Sequence, residues 1–127
     1  MNINDITAKI IDTAINIHRK LDPGLLESVY RKILAYELRR QGLLVEEEKP
    51  IPIIWDDITI DIGYRADLLV EDQVIVELKS LEELPRVHYK QILTHMKLAD
   101  KRLGLLINFG EALLKDGIHR IVNQLEE

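Results

Sequence analysis

Asp67, Glu77 and Lys79 stand within or beside two apolar runs, Ala66–Val70 and Val74–Leu78, where packing alone would select no charge. A charge removed from water needs a partner, a metal ion or a shifted pKa. Adjacent carboxylates repel unless something positive lies between them, and Asp and Glu oxygens suit a hard cation such as Mg2+ or Mn2+. An ammonium group next to such an ion can orient an attacking water or offset negative charge growing on a phosphate. These residue types therefore point to metal-assisted chemistry, provided that the chain brings them together.

The elements that must do so are two strands. Both runs are rich in Val, Ile and Leu, and the polar Glu71-Asp72-Gln73 separates them, which predicts a β-hairpin. Side chains alternate along a strand, so Glu77 and Lys79 share a face, roughly 7 Å apart at ~3.4 Å rise per residue. A three-residue connection pairs Val70 with Val74, Leu68 with Val76 and Asp67 with Glu77, placing both acids on the face of Lys79. A two-residue turn would slip the register and send Asp67 to the opposite face. The apolar pattern selects the first, because Leu68, Val70, Val74 and Val76 then form one continuous surface. Arg65 shares the face of Asp67 by alternation, as an ion-pair partner of Asp67 or Glu77 or as a phosphate contact; the ion pair is the simpler role.

Upstream, Ile6, Ile10, Ala14, Ile17 and Leu21 recur at helical spacing and predict an amphipathic helix over Asn4–Lys20, capped by Asn4. His18, late in this helix, reads as a surface residue or a partner for the C-terminal dipole. Asp22-Pro23-Gly24 breaks the chain, and a second helix follows from Leu25 to Gln41, stopped by Gly42. Leu26, Val29, Ile33 and Leu34 supply its buried side. With Gly24 as N-cap, Glu27 falls at the third helical position, where an acid satisfies the helix start. Tyr30 packs, with its hydroxyl bonded to a neighbour.

Leu44–Ile54 reads as a strand that Pro50 and Pro52 confine to an edge, with Glu46-Glu47-Glu48 as a solvated rim. Trp55-Asp56-Asp57 turns the chain into a long strand, Ile58–Val70. Pro85 opens a helix over Arg86–Leu98 that buries Val87, Leu93 and Met96 and aligns His88, Gln91 and His95 on one polar stripe. Leu103–Ile107 is a continuous apolar run, read as a fully buried strand. Asp116-Gly117 turns into a last edge strand, Ile118–Val122, with His119 and Arg120 exposed.

At 127 residues and 46% apolar content the chain makes one domain with one core. The absence of cysteine excludes disulfides and thiolate zinc sites and fits a cytoplasmic protein. No apolar run nears the ~20 residues needed to cross a bilayer, and the first five residues are not a signal peptide, so no membrane association is expected. The net charge of −5 argues against non-specific binding to nucleic acid. Its distribution softens the objection: Val45–Glu83 holds 12 acidic and 3 basic residues, whereas Arg86–Arg102 holds 5 basic and 1 acidic.

Taken in order, Asp67, nine residues and then Glu77-Leu78-Lys79 resemble the signature of the PD-(D/E)xK nuclease superfamily. Gly24-Leu25-Leu26-Glu27-Ser28-Val29-Tyr30 is similar to the motif that names the GxxExxY proteins, a branch of that superfamily, and the likeness spans Asp5 to Asn123. The resemblance implies an α/β fold with a restriction-endonuclease-like core, a mixed central sheet with helices on both faces. It implies a metal-dependent nuclease acting on DNA in preference to RNA. Asp67, Glu77 and the backbone carbonyl of Leu78 would hold Mg2+ or Mn2+, with Glu27 completing the site directly or through water. Lys79 would position the attacking water, and Gln91 would contact water or the substrate backbone. Relatives carry Tyr four residues after that Gln; here the position is His95, which joins His88 as an expected substrate contact. Small nuclease-fold proteins also pair as homodimers to meet two strands. The alternative is a nuclease-fold binding or assembly module that does not cut, in which Lys79 neutralises Glu77 and Glu27 caps its helix.

Overall fold

In the computed structural model, which describes residues 1–124, the chain forms three helices and five strands. They follow in the order α1 (Ile3–Leu21), α2 (Glu27–Arg40), β1 (Val45–Trp55), β2 (Ile58–Val70), β3 (Val74–Lys79), α3 (Val87–Leu98), β4 (Leu103–Asn108) and β5 (Ile118–Val122), with a 3-10 turn at Leu114–Gly117. The strands make one sheet in the order β1-β2-β3-β4-β5. Neighbours run antiparallel except β3 and β4, which are parallel. Parallel neighbours need a crossover, and α3 supplies it.

Each face of the sheet is covered. On one side Ile6, Ile10, Tyr30, Leu34 and Leu38 of α1 and α2 pack with Leu68, Val70, Val76, Leu78 and Leu105. On the other, Ile92 and Met96 of α3 pack with Leu69, Ile75 and Leu106. The mixed sheet with helices on both faces is therefore present as expected. Every residue of β4 is buried, as a strand covered on both faces requires. Gly104 sets the closeness of α3, since a Cβ there would lie 2.7 Å from the Met96 sulfur.

The β2–β3 hairpin adopts the three-residue connection, with Val70 opposite Val74 and Leu68 opposite Val76. Glu71 and Asp72 take left-handed backbone (φ 53° and 54°) to make that turn. The ladder ends at Leu68–Val76. Beyond it the strands part, and the Asp67 carboxylate accepts the Leu78 N–H at 2.7 Å. A change of face accompanies this departure: Ala66 packs on the α3 side and Leu68 on the α1–α2 side, although both are even positions. Across from Asp67 on β1 lies Glu48, at φ 48°, between the pairs Glu47–Leu68 and Lys49–Ala66. The strands twist together at this point.

Several expectations need correction. Helix α1 starts earlier: Asn2 is the cap and accepts from the Asp5 N–H at 2.9 Å, while Asn4 accepts from Arg120 at 3.0 Å. Helix α2 starts later, with Leu26 as N-cap and Glu27 as its first residue, so Glu27 is not at a capping-box position. The cause is Tyr30, whose hydroxyl donates to the Asp22 carbonyl (2.6 Å) and accepts the Leu25 N–H (3.2 Å), holding that stretch as a loop. Its buried side is Tyr30, Leu34, Ala35 and Leu38; Leu26 and Val29 are exposed and Ile33 is half-buried. His18 is buried rather than superficial, with Nε2 2.8 Å from the Glu111 carbonyl. Glu47 is no free rim, since it pairs with Arg31 and Arg39 of α2. Val87 is exposed; α3 buries Met96 as expected, Leu93 is half-buried, and Ile92 is the further core residue. His119 is half-buried and hydrogen-bonded to the Tyr89 hydroxyl at 2.9 Å.

Candidate active site

Glu77 and Lys79 project from β3 toward α3 and line a cavity of about 170 Å3. From α3, the stripe His88, Gln91 and His95 lines the same cavity, and Tyr64 and Arg65 close it from β2. The structure thus gathers five of the predicted residues around one space. Asp67 does not line the cavity; its carboxylate accepts the Leu78 N–H and is close enough to Glu77 to raise that carboxyl's pKa. The side chain of Leu78 faces the opposite core, so only its backbone belongs to the site. Arg65 lines the cavity but forms no ion pair with Asp67 or Glu77 among the described residues, contrary to the simpler reading of it.

Glu27 is where the structure and the expected site part. Its side chain is exposed in the first turn of α2 and does not line the cavity. Its loop is nevertheless tied to the end of β3, because the Ser80 hydroxyl donates to the Leu25 carbonyl at 2.9 Å.

Electrostatics sharpen the pair of acids. Burial first, then the Asp67 carboxylate, pushes the Glu77 pKa up to about 9, and Lys79 offsets this only in part. Glu77 consequently keeps its proton at neutral pH, as a buried carboxyl beside a like charge does. Burial also lowers the pKa of His95, whose imidazole stacks on the Tyr64 ring with centroids 4.0 Å apart. His95 is therefore a neutral donor or acceptor at pH 7, not a cation.

What singles this cavity out is unmet hydrogen bonding. Four buried side-chain polar atoms among the described residues lack a hydrogen-bond partner: Glu77 Oε1, Tyr64 Oη, His88 Nδ1 and Arg31 Nε. The first three belong to residues of this one cavity; the fourth is 3.6 Å from the Glu47 carboxylate. Folded proteins leave few such atoms unsatisfied, so their convergence marks a place built for a polar ligand. A larger cavity, about 400 Å3, lies between α1 and α2, but two pairs of its polar groups satisfy one another and none of its buried polar atoms is without a partner among the described residues. Gln41 Nε2 donates to Thr13 Oγ1 at 2.7 Å, and Arg40 pairs with Glu37 at 3.3 Å. Size alone does not make it the better site.

Sequence spacing missed two residues. Tyr64 escapes notice because alternation puts it on the face opposite Arg65 and Asp67, and only the twist at Asp67 brings it into the cavity. Asn108 is fully buried opposite Lys79 in the parallel ladder. Its amide accepts from Leu81 N–H (2.9 Å) and Gly110 N–H (3.1 Å) and donates to the Leu81 carbonyl (3.0 Å). That clamp fixes the connector leaving Lys79. The hint in the sequence is a polar residue ending a wholly apolar strand.

A family model described as the PD-(D/E)XK nuclease superfamily matches residues 4–121. No curated protein and no solved structure matches the chain. The match covers nearly the whole sequence, and it includes the strand pair that carries Asp67, Glu77 and Lys79. The chain belongs to the PD-(D/E)XK nuclease superfamily.

Proposed function

We propose that this protein is a metal-dependent nuclease that hydrolyses phosphodiester bonds, in DNA rather than RNA, using Mg2+ or Mn2+. The observation that carries this reading is the cavity in which three partnerless buried polar atoms meet the cationic side chains of Lys79 and Arg65. Such a mixture suits an anionic, oxygen-rich ligand and a cation together. The donor set fits the cation: Glu77 is a buried carboxyl raised in pKa beside Asp67, one of its oxygens is unmatched, and hard divalent ions favour oxygen ligands with several waters retained. Asp67, Glu77 and the Leu78 carbonyl would hold the ion, and Glu27 would reach it directly or through water. The described residues contain no cluster of three metal-ligating side chains, so backbone, water or phosphate would have to complete the site. Bound there, the cation supplies Lewis acidity toward phosphate and water.

The chain's own residues do the rest. Lys79 holds the attacking water and offsets charge growing on the phosphate. Gln91 contacts water or the substrate backbone, and His88 and the neutral His95 hydrogen-bond the substrate. Asp67→Ala and Lys79→Ala should each lower cleavage at least about 100-fold while leaving the circular dichroism spectrum unchanged. Wild-type rates in both variants would reject the assignment.

The alternative, a binding module that does not cut, is favoured by the position of Glu27 outside the cavity. It also needs Lys79 to neutralise Glu77, yet Lys79 lowers the Glu77 pKa by less than burial and Asp67 raise it. Melting with millimolar Mg2+ or Mn2+ decides between them. A ligand bound only by the folded state raises Tm, and Asp67→Ala should abolish the rise. No rise in wild type would favour the non-cutting module. Pairing of two copies is a separate part of the proposal, tested by light scattering for twice the chain mass.

A further inference from the structure

We propose that Tyr64 contacts the substrate: its hydroxyl donates a hydrogen bond to an oxygen of the phosphate that enters the cavity beside Glu77 and Lys79. The inference rests on the nuclease reading above and adds a residue that neither sequence motif contains.

Two elements hold the ring in place. Tyr64 leaves β2 three residues before Asp67, and its ring lies nearly parallel to the His95 imidazole of α3, at 15° and 4.0 Å. This contact fixes where the hydroxyl points. The hydroxyl oxygen is buried and has no hydrogen-bond partner. Burial first, then the Glu77 carboxyl, raises the phenol pKa, so the group stays a neutral donor. The obvious internal acceptor is nonetheless unused, because Glu77 Oε1 is itself without a partner. Both atoms therefore serve the cavity and not each other.

Packing gives no reason for the oxygen. A phenylalanine would fill the same volume and stack on His95 equally well, without leaving a buried hydroxyl unmatched. Buried tyrosine hydroxyls ordinarily find a partner, and Tyr64 lines the same cavity as Lys79 and Arg65. Three donors approaching one space from β2 and β3 are what an incoming phosphate would meet.

Tyr64→Phe tests this, since it removes one atom and keeps the ring. With Mn2+, kcat for oligonucleotide cleavage should fall about 10- to 100-fold. With Ca2+, the Kd for thymidine 5′-monophosphate measured by calorimetry should rise about 3- to 10-fold. The Tm of the free protein should stay the same or rise. Unchanged kcat and Kd would overturn the proposal, and so would a lower Tm, which would show the hydroxyl bonded within the fold. If wild type binds the nucleotide but cuts nothing, the nuclease reading fails while the Kd comparison still decides Tyr64. A wild type that does neither overturns both.

Discussion

At Glu77 the interests of fold and site oppose one another. Burial and then the Asp67 carboxylate raise its pKa from the ordinary 4.5 to about 9, so the free folded chain keeps a proton that the unfolded chain releases. A carboxyl of this kind contributes stability that is complete below 4.5 and is lost as pH rises through about 9. In EDTA the wild-type Tm should accordingly fall between about pH 5 and pH 9. Glu77→Gln keeps the shape and removes the titration. It should therefore melt higher than wild type at alkaline pH, by about 2–4 kcal/mol of stability, while losing cleavage. A cation at the pair would displace the Glu77 proton, so Mn2+ should stabilise wild type more at pH 8 than at pH 5. Scanning calorimetry over this range measures it, and a wild-type Tm flat with pH would exclude the retained Glu77 proton.

At the scale of elements, what the sequence reveals is what neighbouring residues decide. The β2–β3 register follows from the alternation of Leu68, Val70, Val74 and Val76 and from a three-residue turn, all within one hairpin. The stripe of His88, Gln91 and His95 is legible for the same reason, since helical spacing alone sets it. Contacts between distant segments are not legible. The change of face at Asp67 involves Glu48 on another strand, and His18 is buried because the Glu111 carbonyl meets it from 93 residues away. The true start of α2, and with it the outward position of Glu27, depends on where the Tyr30 hydroxyl finds partners. Asn108 shows how much such a contact can matter. Its amide bonds Leu81 twice, and Gly110 lies so close that a Cβ there would strike the Leu81 backbone. Asn108→Ala would leave the Leu81 groups unmatched, and it should cost about 2–4 kcal/mol in urea unfolding. Cleavage should fall as well, because the connector that Asn108 holds runs from Lys79 to α3. A loss below about 0.5 kcal/mol would show that the clamp is dispensable.

Over the whole molecule, a net charge of −5 must be reconciled with an anionic substrate. Part of the acidity is taken up internally: Glu47 with Arg31 and Arg39, Glu46 with Lys49, and Asp72 with Lys101. Four cations outside these pairs line hollows beside α3. Arg65 and Lys79 line the active cavity, and Arg86 and Lys90 line an open depression with Leu84 and Tyr89 at the start of α3. Each phosphate neutralised contributes about 0.7–0.9 to the slope of log affinity against log salt. Four such contacts predict a slope near −3, so raising salt from about 50 to 200 mM should weaken oligonucleotide binding on the order of 60-fold. A protein using six to ten phosphate contacts would lose roughly a thousandfold or more over the same interval. Anisotropy titrations with Ca2+ in place of a catalytic ion measure this directly. Arg86→Ala and Lys90→Ala should each reduce the slope by about one, without changing which sequences are bound. Should both variants keep the wild-type slope, the substrate does not leave the cavity along α3, and the Arg86 and Lys90 contacts are excluded.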